Sequence, residues 1–77
     1  MKHRYHVDFF RGTSFLAAIH GFHNLDSAVA YAHSVWEMHR EKPENKGCSW
    51  QVNEIIFDGE GEPSHHVTVL QLHSTAH

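Results

Sequence analysis

The chain has 77 residues and a formal charge of −3 with histidine neutral, six Lys and Arg standing against nine Asp and Glu. That length allows one hydrophobic core and no second domain, and 40% hydrophobic with 19% charged residues specifies folding over disorder. The single cysteine, Cys48, excludes an intramolecular disulfide and points to a reducing, cytoplasmic setting. The longest apolar run, residues 15–19, falls far short of the ~20 needed for a membrane span.

In chain order, residues 4–10 alternate, with Tyr5, Val7 and Phe9 on one side and Arg4, His6 and Asp8 on the other, which predicts a half-buried strand. Gly12 supplies a tight turn, and residues 14–20 form a second strand. A helix is expected over residues 25–41. Asn24 or Asp26 caps its start, and Leu25, Ala28, Val29, Ala32, Val35, Trp36 and His39 recur at helical spacing. Pro43 prevents the helix from continuing. Strands over 49–58 and 67–73 follow, joined by the acidic, glycine-rich run from Asp58 to Pro63. In the third strand Trp50 and Val52 are out of phase with Ile55 and Phe57. A bulge near Asn53 and Glu54, or burial on both faces, accounts for that. Residues 74–77 are expected to form a loose tail.

The expected fold is therefore α+β in the order β-β-α-β-β: a four-stranded antiparallel sheet, strand order 2-1-3-4, with one helix packed on one face. Phe9, Phe15, Ile19, Val29, Trp36 and Trp50 are expected on the covered side. Phe10, Leu16, Ala18 and part of the Ile55, Phe57, Leu70 and Leu72 set are left for the open side. Large apolar residues facing water call for a protein partner or a homodimer.

The ten histidines invite a metal reading. Their local spacing, as in His3-x-x-His6 and His65-His66, brings no three imidazoles together, so no metal site and no cofactor is expected. The serines lack a nucleophile-elbow pattern, and Cys48 has no partner fixed by sequence. A fold this small also offers little concavity for a substrate, so no enzymatic activity is expected. Nucleic acid is not expected as a partner, because the net charge opposes the phosphate field and the basic residues form no run.

Tyr5-His-Val-Asp-Phe9, then Gly21-Phe22, then Leu25-Asp-Ser-Ala-Val-Ala-Tyr-Ala32 is similar in style to the HicB-type antitoxin domain, in which strands precede a helix opening in L-x-x-A-x-x-x-A. The size, acidity and β-β-α-β-β order also resemble some phage anti-CRISPR proteins, which inhibit bacterial defence complexes by surface contact. The second resemblance implies a small, non-enzymatic protein-binding inhibitor, working in the host cytoplasm if phage-encoded. The rival readings are a nucleic-acid-binding antitoxin and a histidine-rich metal-binding module. The residues assigned to partner binding are Phe10, Leu16 and Leu70 on the open side, with Asp58, Glu60 and Glu62 in the acidic loop.

Overall fold

The computed structural model describes residues 3–57 and 63–76. Strand β1, His3–Arg11, and β2, Ser14–Phe22, form an antiparallel hairpin. Helix α1, Leu25–His39, then crosses the sheet, and a single 3-10 turn over Pro43–Asn45 leads into β3, Cys48–Phe57, and β4, Pro63–His73. The sheet order is β2-β1-β3-β4, antiparallel throughout, the order preferred from sequence because it keeps every neighbour antiparallel. No helix among the described residues is long and apolar enough to cross a membrane.

The local reasons for these elements are visible. Gly12 takes a left-handed φ of 60° at the hairpin turn, and its N–H donates to the Gly47 carbonyl at 2.9 Å, joining the turn to the start of β3. The Asn24 side chain accepts the Ser27 N–H at 2.8 Å, which fixes Asn24 as the N-cap over Asp26. The helix ends at His39, two residues short of the predicted end, with Arg40 as its C-cap. The Arg40 carbonyl, one of the groups a helix end leaves without an intrahelical donor, accepts from the Thr75 N–H at 2.8 Å. It also accepts from the hydroxyls of Ser74 at 3.0 Å and Thr75 at 3.2 Å. Residues 74 and 75 are therefore a remote helix cap and not the loose tail expected from sequence.

The central β1–β3 ladder runs from His3↔Ile56 to Arg11↔Cys48 without interruption. The outer ladders do not. In β2 an extra residue enters at Leu16 and again in the His20–Gly21 step. In β4 one enters at Val69 and another at Ser64. All four bulges therefore lie on the two edge strands. The bulge predicted at Asn53–Glu54 is displaced onto the neighbouring strand, and β3 itself alternates regularly. Its apparent change of phase comes from burial on both faces, the other expectation for this strand: Val52 is buried on the helix side and Ile55, 3% exposed, on the other. Arg4 lies opposite Ile55, and its guanidinium stacks 5.5 Å from the Phe57 ring centroid.

The core sits between α1 and the two inner strands. Val7, Val52, Ala28 and Ala32 are fully buried, ringed by Tyr5, Phe9, Phe22, Val29, Tyr31, Leu70 and Leu72. Leu70 and Leu72, placed on the open side by sequence, thus face the helix: they pair with Val52 and Trp50, whose side chains share that face. Phe15 moves the other way. The bulge at Leu16 reverses its phase, so it pairs with Phe10 on the open face and is 60% exposed. The molecule extends 45 × 23 × 15 Å, whereas a 15-residue helix is about 22 Å long, so α1 covers only part of the sheet.

Candidate interaction surface

Hydrogen bonds from two helix positions, Trp36 and Arg40, to residues 73–75 decide where α1 lies. The Trp36 indole Nε1 donates to the His73 carbonyl of β4 at 2.8 Å, and the Arg40 carbonyl is held by Ser74 and Thr75. Both draw the helix toward β4. It packs over β1 and β3 and meets β2 least of the four strands. The helix-side residues of β2 therefore lack the cover that those of β1 and β3 receive.

The result is an apolar groove bounded by β2 and one flank of α1. Helical geometry places Tyr31, Val35 and Met38 on that flank, opposite the Trp36 side. One end is closed by Phe22 against Tyr31, ring centroids 5.4 Å apart. At the other end lies a cleft of about 230 Å³ whose lining includes Phe9, Leu16, Val35, His39, Cys48 and Trp50. Leu16 is 50% exposed, Ile19 38% and Met38 68%. Round the edge of β2, Phe15 packs edge-on against Phe10, with centroids 5.7 Å apart. The strand between contains no Asp, Glu, Lys or Arg, so it is free of fixed charge, and its polar residues are Ser14 and His20.

The sequence-assigned partner residues are distributed differently from expectation. Phe10 is on the open face, at its β2 corner, as assigned. Leu16 is not: the bulge brings it to the helix side, where it lines the cleft with Val35. Leu70 packs against the core and is not an exposed contact residue. Asp58, Glu60 and Glu62 lie outside the described residues. Ile19 and Met38, which were not assigned, belong to the border. Met38 breaks the apolar stripe of the helix, and an exposed apolar residue off the stripe is the signal that would have found it.

The open face is polar at its centre, contrary to the apolar surface predicted there. Asn53 is buried in it and donates to the Asp8 carboxylate and, at 3.4 Å, to Gln51 Oε1. It accepts the Thr68 hydroxyl at 2.6 Å. Among the described residues no buried side-chain nitrogen or oxygen lacks a partner, which makes this cluster a device that fixes strand register more than a vacant binding site.

Cys48 shares the cleft with His39 and Asn45. Among the described residues no hydrogen bond joins the thiol to either side chain, and the Asn45 amide donates to the His39 carbonyl at 3.1 Å. The geometry that activates a thiol is therefore missing. Among the described residues, no group of three His, Cys, Asp or Glu side chains is placed to hold a metal ion.

The Tyr5 phenol is perturbed. The Tyr5 phenol donates to the Glu54 carboxylate, and this bond, then desolvation and the Glu54 charge, raises its pKa above the ordinary 10.0. The folded chain keeps this proton to higher pH than the unfolded chain does. The stabilisation is thus complete below the unfolded value and is lost as pH rises through the folded one. Ultraviolet titration should show one tyrosine ionising above pH 10, and Glu54→Gln should bring it down.

Neither a protein-family model, nor a curated protein, nor a solved structure matches the chain, so its functional reading rests on its own surfaces.

Proposed function

We propose that this chain is a small, non-enzymatic protein-binding module that associates through the β2 border, its concrete form being a phage or mobile-element inhibitor of a bacterial defence or host complex. The observation that carries the reading is the concentration of Phe15, Leu16, Ile19 and Met38, all exposed, around one charge-free edge strand. Contiguous exposed apolar surface of this kind marks protein contact sites. An inhibitor that acts by contact needs such a surface and no catalytic group.

The test is capture of a bacterial protein on the immobilised chain, with Phe15→Lys and Glu37→Lys compared. Both positions are exposed, and Glu37 is on the far side of the helix from the sheet. Capture that survives Glu37→Lys and is lost with Phe15→Lys supports the reading. Equal capture by both variants, or none by the parent chain at micromolar concentration, overturns it.

A further inference from the structure

We infer that the β2 edge is occupied by a second copy of this chain, related by a two-fold axis through Ala18, so that two sheets join into one of eight strands. The inference rests on the reading of the β2 border as an interface and names what first fills it.

Three observations point to a copy of the same chain. The first is register. A two-fold axis perpendicular to the sheet pairs residues whose numbers sum to a constant and whose side chains share a face. An axis at Ala18 satisfies this: Ala17 meets Ile19 of the other copy, both on the helix side, and the small Ala18 side chains meet on the open side. The bulges at Leu16 and at His20–Gly21 confine regular pairing to this short segment, so the bordering side chains must supply the remaining contact.

The second is charge. On the two-fold axis a residue meets its own copy, and its near neighbours lie close to theirs, so a charge at the centre of the strand would repel itself. A strand contacting a different protein has no such restriction and gains from complementary charge. β2 has no residue of fixed charge, whereas the inner strands carry Arg4, Asp8, Arg11 and Glu54. The other edge, β4, is less suited. It too lacks Asp, Glu, Lys and Arg, but its exposed large apolar residues are only valines, Val67 and Val69, and it contains three histidines, His65, His66 and His73, against the single His20 of β2.

The third is core size. The largest fully buried side chains are two valines, and one cysteine cannot form a disulfide within the chain. Domains this small are often marginal alone, and oligomerisation is one way to stabilise them. A partner required for folding must be present whenever the chain is made, which another copy always is. Association also completes the groove. Each copy supplies one helical wall, with Tyr31, Val35 and Met38, and the two β2 strands form a common floor.

Ala18→Cys tests the geometry with little change in side-chain volume. The axis would set the two Cα atoms about 4.5–5.5 Å apart, inside the range a disulfide spans. Mild oxidation at low micromolar concentration should convert Ala18→Cys to a covalent dimer, while Ser34→Cys, exposed on the helix, stays monomeric on a non-reducing gel. The parent chain should sediment at twice 8.9 kDa. Ile19→Lys should weaken association by roughly 100-fold or more, since it places unpaired charges in an apolar contact. Cross-linking of Ala18→Cys no faster than Ser34→Cys, or a folded parent chain at 8.9 kDa at tens of micromolar, overturns the inference. A monomer that still loses its captured protein on Phe15→Lys would leave the protein-binding reading standing. A dimer whose capture ignores Phe15→Lys would remove that reading and keep the dimer.

Discussion

Val52→Asp should leave the chain unfolded. Val52 is fully buried at the centre of the sheet, paired with Val7 on one side and Leu70 on the other, within the cluster that Ala28 and Ala32 complete. No cationic side chain belongs to that cluster. An unpaired buried charge costs roughly 3–5 kcal/mol, and a domain of this size has a total stability of about 4–12 kcal/mol. The core has no second layer to absorb such a loss. Circular dichroism should show neither helix nor sheet, and the amide spectrum should collapse to random-coil dispersion. A native-like spectrum would mean that the core lies elsewhere.

Asn53→Leu should lower the melting temperature by roughly 5–20 °C, from a loss of about 1–3 kcal/mol. The substitution is close in volume, so the cost comes from bonding. The Asp8 carboxylate loses a donor, the Thr68 hydroxyl loses its acceptor, and a leucine replaces an amide that makes three hydrogen bonds. Asp8→Ala should cost less, because it removes the charge together with its need for a donor. The double variant should be less destabilised than the two single losses added together, since the residues act as one network. Additive losses in thermal melts would show that Asp8 and Asn53 are energetically independent.

The same cluster explains where sequence reasoning succeeds. The helix, its Asn24 cap and the strand order follow from local spacing and from the requirement that one helix bridge two hairpins. The side-chain assignments depend on phase, and phase is reset by bulges. Leu16 and Val69 are ordinary strand formers, and nothing in either residue type announces an inserted position. One such insertion carries Leu16 to the helix side and Phe15 away from it, which is why the open apolar face predicted from alternation is found at the β2 border instead. Ile55 misleads for a different reason. It is buried on the polar face opposite Arg4 of β1, a pairing between residues far apart in sequence. The capping role of Ser74 and Thr75 is equally non-local, because their acceptor is the far end of α1.

The uninterrupted ladder between β1 and β3 also dictates the order in which the molecule can be made. Its closest pair in sequence, Arg11 and Cys48, is separated by all of β2 and α1. A nascent chain that has emerged only through α1 holds a two-stranded hairpin and one helix, each marginal alone. Val7 has then no Val52 to meet, and Ala28 and Ala32 have half a floor. Stable structure must await the third strand, and closing so long a loop makes the step slow. During that interval the unprotected side of β1 can be satisfied only by β3 or by a strand from elsewhere. The cell therefore has to carry this chain, until β3 emerges, as an unfinished sheet whose central position is vacant.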